Sequence, residues 1–183
     1  PGGTLPSASV AQVADFDLST GRQVEVGSKF DFLEGRVVRH SVLFDAAAGA
    51  EGLEAATKAL AEAGVFEGPT VVAHGVWLDD DDMKILAAAN VSIAHCPVSN
   101  LKLGSGIAPV TSMRAHGLNV ALGTDGVASN DNLDLWEEMK LAPLLARGAT
   151  SDPAALSAAG ALDMATRAGA RAVHLDDVGE LRP

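Results

Sequence analysis

The stretch VVAHGVWLDDDD, residues Val71–Asp82, ends a short apolar run on a histidine, His74. Short runs rich in Val, Ile and Ala are typical of buried strands, so this histidine directly follows a predicted strand. The same arrangement occurs twice more, with His95 in VSIAHCPVSN (residues 91–100) and Asp125 in NVALGTDGVASN (residues 119–130). Three predicted strands therefore each end next to a group that can bind a metal or move a proton.

Predicted helices separate these strands. Acidic side chains stabilise the positive end of a helix, so Asp79–Asp82 are interpreted as a helix start and not as a calcium site. Two further helices are predicted at residues 132–147, capped by Asn130 or Asp131, and at residues 153–168, capped by Asp152. Alternating strands and helices predict βαβ units and a parallel sheet, hence an α/β fold.

The beginning of the chain has a different pattern. GRQVEVGSKFDFLEGRVV alternates apolar and polar side chains around glycines, which predicts short strands and turns. We therefore divide the chain into a short β-rich N-terminal segment, residues 1–35, and an α/β part, residues 36–183.

The composition indicates an acidic protein with a mostly aliphatic core. The 183 residues suffice for one domain, and 48% are hydrophobic although Tyr is absent. A net charge of −11 argues against nucleic acid as a partner. The sequence has no basic membrane patch, no apolar span of bilayer length and no signal peptide pattern. Because Cys96 is the single cysteine, no internal disulfide forms, and we expect a cytoplasmic protein.

The three polar groups favour a shared site. Active sites of parallel α/β folds collect at the carboxyl ends of strands, where His74, His95 and Asp125 are predicted to lie. Taken singly, each has a structural alternative, either a hydrogen-bonded histidine or a turn aspartate. Imidazole and carboxylate are ordinary zinc ligands, and a metal-bound water is a nucleophile at neutral pH. This chemistry suits hydrolysis of a C–N bond.

The same segments closely resemble the amidohydrolase superfamily, nearest to its branch of methylthioadenosine/S-adenosylhomocysteine deaminases and chlorotriazine hydrolases. The similar segments are VVAHGVWL, IAHCPVSNLKLGSGIAPV, LGTDGVASNDNLDLWEEM and the tail ALDMATRAGARAVHLDDVGELRP. The resemblance covers residues from about 65 to 183. It implies that this part of the chain is the C-terminal part of a (β/α)₈ TIM-like barrel.

The resemblance also implies roles for single residues. His74 becomes the histidine after barrel strand six, which polarises substrate and orients the attacking hydroxide. Asp125 becomes the aspartate after strand eight, both metal ligand and proton acceptor. His95 lines the pocket near substrate, and Ser129 and Asn130 support the strand-eight loop through their backbone. Trp77 is a candidate contact to an aromatic substrate, with ordinary packing as the alternative.

Two motifs of the family are missing from the chain. No H-x-H pair occurs, and the only candidate for the strand-five motif H-x-A-E is VVRHSVLFD, in which Leu43 stands in place of the glutamate. His40 is therefore a candidate metal ligand, with an ordinary strand histidine as the alternative. A frame error upstream of about residue 50, a fragment or a degenerate relative would each explain the loss.

Two functions follow as expectations. The first is a metal-dependent hydrolase, with zinc expected and iron possible, that acts on C–N or C–Cl bonds of purine-like or triazine-like rings, most simply a deaminase. The alternative is a catalytically incomplete relative that serves as an interaction or structural module. A (β/α)₈ barrel needs about 250 residues, and unpaired sheet edges favour association. We therefore expect a second copy or a complementing chain as partner, and low metal occupancy for this chain alone.

Overall fold

The computed structural model describes residues 24–27, 31–33, 36–38, 40–44, 57–175 and 177–181. The strands within these residues are β1 (Val24–Gly27), β2 (Asp31–Leu33), β3 (Arg36–Val38), β4 (His40–Phe44), β5 (Thr70–Ala73), β6 (Ser92–His95) and β7 (Asn119–Leu122). Five of them form one sheet in the order β1-β4-β5-β6-β7, and β2 pairs with β3 separately.

The sheet is parallel from β4 to β7 and antiparallel at its β1 edge. Its described helices are α1 (residues 57–62), α2 (Asp80–Ala88), α3 (Pro97–Lys102), α4 (Val110–Ala115), α5 (Leu135–Thr150), α6 (Ala158–Ala165) and α7 (Arg167–Ala172). The predicted α/β fold with a parallel sheet is confirmed. The complete eight-stranded barrel and the division of the chain at residue 35 stay predictions.

An aliphatic core holds the helices against the sheet. Val72 of β5 and Ile93 of β6 are fully buried, and they belong to one apolar cluster with Leu86, Met113 and Met164 of the helices. Complete burial of such a side chain stabilises the fold by about 1.5–3 kcal/mol. The strands are therefore anchored through their centres, and their carboxyl ends are left to carry polar groups.

Helix α2 begins as the sequence predicted. The Asp79 carboxylate accepts hydrogen bonds from the Asp81 and Asp82 backbone N–H groups at 2.9 and 2.8 Å. The Asp82 carboxylate in turn accepts a hydrogen bond from the Asp79 N–H at 3.3 Å, which completes a capping box. The four aspartates therefore start a helix.

The bounds of two later helices differ from the prediction. Helix α5 begins after Asp134, which accepts the Trp136 N–H at 2.8 Å, and it continues past Gly148 to Thr150. The predicted helix at residues 153–168 is instead two helices, since Asp152 caps only a turn, through the Ala154 N–H. Helix α6 begins after its own cap residue, Ser157. It ends before Thr166, which separates it from α7.

Among the described residues, no helix combines the length and the apolar character that crossing a membrane requires.

Candidate active site

A tight turn after β5 sets the position of His74. Both His74 and Gly75 have left-handed backbones, with φ of 66° and 61°, and the His74 N–H donates to the Ala94 carbonyl at 2.9 Å. A Cβ atom on Gly75 would lie 2.9 Å from Met113 Cε and 3.1 Å from Leu78 Cδ1. The turn is therefore held against β6 and the core, and His74 has little freedom to move.

The structure brings His74 and Asp125 together across β6. His74 Nε2 lies 3.8 Å from Asp125 Oδ2. The other ring nitrogen, Nδ1, lies 2.8 Å from Asn100 Oδ1 in a buried hydrogen bond. The side chains of His74 and Asp125 are therefore neighbours, and Asn100, which the sequence did not single out, contacts His74.

The Asp125 carboxylate is held by two hydroxyl groups. Ser99 Oγ and Ser129 Oγ donate to Oδ2 at 2.7 and 2.6 Å. Burial by itself raises the pKa of the Asp125 carboxyl, but the two hydroxyls, the Gly126 backbone N–H and the charge of nearby His74 outweigh it and lower that pKa. Asp125 is therefore ionised at neutral pH and restricted to one orientation.

The third polar group that the sequence singled out, His95, is buried. It is the last residue of β6 and is 1% exposed. Burial, with a smaller contribution from the charge of His74, lowers the pKa of His95 to about 4, so its ring is neutral at pH 7. Its Nδ1 has no hydrogen-bond partner among the described residues. The predicted contact between His95 and substrate stays a prediction.

A fully buried glutamate joins the helix that carries Ser99 and Asn100 to the loop that carries Asp125. Glu138 on α5 accepts the Val98 N–H at 3.1 Å and Asn130 Nδ2 at 2.6 Å. Burial raises the pKa of Glu138, while those two hydrogen bonds oppose the rise. Val98 belongs to α3 and Asn130 to the loop of Asp125, so this glutamate sets the distance between α3 and that loop.

Sequence reasoning missed Ser99, Asn100 and the role of Glu138, and it expected only backbone support from Ser129 and Asn130. The side chains of these last two residues instead contact Asp125 and Glu138 directly. One signal for Glu138 was available. It shares the buried face of α5 with Ala142 and Ala146 at helical spacing of four residues, where a charged side chain needs a partner.

His40 is placed at the other end of the sheet. In the parallel pairing of β4 with β5, His40 is level with Thr70, and Leu43 is level with Ala73. His40 is therefore the first residue of β4. At about 3.3 Å per residue it lies roughly 13 Å along the strand from the level of His74. This register argues against a shared metal site, and its role as a ligand stays a prediction.

Trp77 and Cys96 differ in their exposure to solvent. Trp77 follows the His74 turn and is 43% exposed, so it is available to a ligand, although contact with substrate stays a prediction. Cys96 is buried, and burial raises the pKa of its thiol to about 12. This environment argues against a nucleophilic role for Cys96, because a nucleophilic cysteine needs a lowered pKa.

The described residues do not fit a zinc site by themselves. No group of three or more His, Cys, Asp or Glu side chains within them could hold a metal ion. Catalytic zinc takes three protein ligands and a water, whereas this part of the chain offers the Asp125 carboxylate. What the arrangement does provide is an ionised carboxylate and an imidazole nitrogen that face one another, which is suited to holding and deprotonating a water molecule.

Comparison with known proteins finds relatives of this chain. The model of the amidohydrolase family matches residues 13–183. A 5-methylthioadenosine/S-adenosylhomocysteine deaminase of Pelotomaculum thermopropionicum is 58% identical over 121 residues, which are 66% of this chain and 28% of that protein. A 5'-deoxyadenosine deaminase of Methanococcoides burtonii is 56% identical over 118 residues, 64% of this chain and 27% of that protein.

Solved structures of related enzymes share the fold. An adenosine deaminase from Xanthomonas campestris with bound zinc matches 68% of this chain and 29% of its own, with 37% identity and a TM-score of 0.66. A mutant of the atrazine chlorohydrolase from Arthrobacter aurescens TC1, complexed with zinc and atraton, matches 68% and 28%, with 35% identity and a TM-score of 0.65. This chain spans less than a third of the length of these relatives.

Proposed function

Because this chain belongs to the amidohydrolase family, we propose that it forms the carboxyl-terminal part of the active site of a hydrolase that deaminates a purine-like ring. The observation that carries the proposal is the approach of His74 Nε2 to Asp125 Oδ2, at 3.8 Å, at the carboxyl ends of β5 and β7. The relatives named as deaminases of adenosine-type nucleosides support the reaction class.

Asp125 is the proposed proton acceptor. Its lowered pKa keeps the carboxylate ionised, and the hydrogen bonds from Ser99 and Ser129 hold that carboxylate in the orientation in which it would accept a proton from an attacking water. A positioned general base accelerates such a step by about 10²–10⁴-fold. His74, held by its turn and by Asn100, orients the water and the ring nitrogen under attack.

Zinc is the proposed cofactor of the complete protein, with iron as the second candidate. Two of the solved relatives hold zinc, and Asp125 is the described residue that would contribute to such a site. Since the described residues do not complete a ligand set, we expect low metal occupancy when the chain is alone. His40 is retained as a weaker candidate because its strand register places it far from Asp125.

The proposed substrate is a small purine-like nucleoside, with a triazine-like ring as the second class. Trp77, His95 and the loops after β5 to β7 follow the carboxyl ends of these strands, and we propose that the ring binds at this end of the sheet. Hydrolysis of a C–Cl bond follows the same chemistry, because the attacking water and its base are unchanged and only the leaving group differs.

A second candidate function is that of a catalytically incomplete partner. The shortage of metal ligands in the described residues favours it, as does an apolar rim beside the site. Leu103, Val127 and Trp136 are exposed in the loops and helix that follow β6 and β7, and Trp136 is 76% exposed. Such a rim favours contact with a second copy or a complementing chain.

One experiment tests the proposed function. Native mass spectrometry of the purified chain with added zinc is combined with an assay of ammonia release from 5'-deoxyadenosine and methylthioadenosine. We expect low zinc occupancy in the chain as purified, bound zinc and activity that rise together as zinc is added, and activity that falls about 10²-fold or more in Asp125→Asn. Asp131→Asn is the matched control, since it removes a carboxylate of the same loop that pairs with Lys102 among the described residues.

The opposite result is equally informative. A metal-free, inactive chain that forms dimers or captures the missing part of the family fold would favour the second candidate. Activity that survives Asp125→Asn would show that another group takes the proton, and the role given to this aspartate would have to be abandoned.

A further inference from the structure

The buried side-chain amide of Asn100 contacts the ring nitrogen of His74 that does not face Asp125. Asn100 and His74 are 26 residues apart in sequence, and Asn100 Oδ1 lies 2.8 Å from His74 Nδ1. Both side chains are buried. A carbonyl oxygen only accepts hydrogen bonds, so Nδ1 must carry the proton of this contact.

We propose that Asn100 is a positioning residue that fixes His74 in the tautomer with its proton on Nδ1, so that Nε2 and Asp125 together form a two-acceptor cradle for a water or amine. The inference rests on the proposed function, because it assigns that pair its ligand. In a neutral imidazole with a proton on Nδ1, Nε2 is an acceptor. It then faces Asp125 Oδ2, which is also an acceptor, at 3.8 Å.

The spacing of the two acceptors points to a bridging donor. A separation of 3.8 Å is too long for a direct hydrogen bond, and a polar contact of this length suggests a small molecule that contacts both groups. Water and an amine each carry at least two donor hydrogens and can satisfy both acceptors. These are the nucleophile and the leaving group of a hydrolytic deamination.

Asn100 is well anchored for this role. Its backbone N–H donates to the Cys96 carbonyl at 3.0 Å, and its backbone carbonyl accepts the Ser105 N–H at 2.8 Å. The helix that carries it, α3, is itself held where Glu138 accepts the Val98 N–H. Among the described residues the amide Nδ2 has no hydrogen-bond partner, so the fixed backbone and the bond to His74 Nδ1 are what position the amide beside the imidazole.

The opposite orientation of the amide gives the competing outcome. If the NH₂ group of Asn100 faced His74, it would donate to Nδ1 and leave the ring proton on Nε2. The cradle would then have one acceptor and one donor and would no longer select a ligand with two donor hydrogens. The two arrangements differ in which ring nitrogen carries the proton, and this can be observed directly.

The test is nitrogen-15 NMR of the full chain labelled at histidine, at a pH where the rings are neutral. We expect the signal of a protonated nitrogen at His74 Nδ1 and that of an unprotonated nitrogen at Nε2. In Asn100→Ala the proton should move from Nδ1 toward Nε2, next to Asp125. In Asn100→Asp, which keeps an oxygen acceptor, Nδ1 should stay protonated.

Ser129→Ala is the matched control, because it removes a hydrogen bond to Asp125 without touching His74. It should leave the His74 tautomer unchanged. A proton on Nε2 in the wild-type chain, or a tautomer that does not respond to Asn100→Ala, would overturn the proposal. If Asn100→Ala does not fold, the wild-type spectrum and Asn100→Asp still decide.

The measurement needs no turnover, so it separates the two proposals. An Nδ1–H tautomer that depends on Asn100, in a chain without deaminase activity, would support the positioning role and count against the proposed function. An active chain with the proton on Nε2 would do the reverse.

Discussion

Single residues show that this site is built with some conformational cost. His74 and Asp125 both have positive φ, 66° and 61°, a region that side-chain-bearing residues seldom occupy. Each such backbone costs of order 1 kcal/mol or more and persists only where its surroundings hold it. Here the surroundings are the Asn100 amide and the two serine hydroxyls, and the strained turns direct both groups to one place.

The buried imidazole of His95 makes a prediction about pH. Its pKa is about 4 in the fold and about 6.5 in an unfolded chain, so below pH 6.5 the unfolded state binds the additional proton. The contribution of neutral His95 to the free energy of unfolding is therefore fully present above pH 6.5, and it falls by about 3 kcal/mol as the pH drops to 4. Urea unfolding of wild type and His95→Gln between pH 4 and 7 measures this. Parallel stability curves for the two proteins would contradict it.

The Cys96 thiol makes a prediction about reactivity. The side chain is buried and its pKa is about 12, so the thiolate that reacts with alkylating reagents is scarce at pH 8. We expect labelling by iodoacetamide to be at least about 10²-fold slower in the native chain than in urea. Mass spectrometry over a time course measures the rate. Rapid labelling of the folded chain would show that Cys96 is accessible and activated.

At the scale of single elements, local polar chemistry decides where helices begin. The capping box of α2 satisfies backbone N–H groups that have no partner within a helix. Helix α5 shows the competing effect. Asn130, which the sequence proposed as its cap, is buried against Glu138, so Asp134 caps the helix four residues later.

The α2 cap can be tested by substitution. Asp79→Ala removes the acceptor of two backbone N–H groups and should lower the free energy of unfolding by about 1 kcal/mol. Asp80→Ala, one residue further along, keeps the cap and should cost less, since it alters the interaction with the helix dipole and a contact with His116, whose Nε2 lies 3.7 Å from Asp80 Oδ1. Thermal or urea unfolding compares the two variants. Equal losses would mean that the cap adds nothing beyond the charge.

At the scale of the whole molecule, the site depends on contacts between elements that are distant in sequence. Glu138 lies 40 residues after Val98, yet its carboxylate joins α3 to the loop after β7. Helix α3 carries Ser99 and Asn100, and the loop carries Asp125. The geometry of the site therefore depends on how α5 packs against the sheet.

Replacement of that carboxylate should weaken the whole fold. Glu138→Gln turns one of its two acceptor oxygens into a donor that faces another donor, which costs about 1–3 kcal/mol. The adjacent Glu137 is only partly buried and accepts a hydrogen bond from Asn132 Nδ2, so Glu137→Gln is the matched control and should change stability by about 0.5 kcal/mol or less. Urea unfolding measures the stability of both variants. Similar losses of stability for the two would count against the role of Glu138 in joining α3 to the loop of Asp125.

The sequence by itself determined the parallel α/β sheet, the start of α2 and the presence of polar groups after three strands. Each of these depends on patterns within a few residues: apolar runs, caps and the dipole of a helix end. Only the tertiary structure decided that Ser99, Asn100 and Glu138 support His74 and Asp125, and that His40 begins its strand. Those facts depend on strand register and on contacts across 8 to 40 residues. A local pattern does not encode which distant side chain will satisfy a buried group.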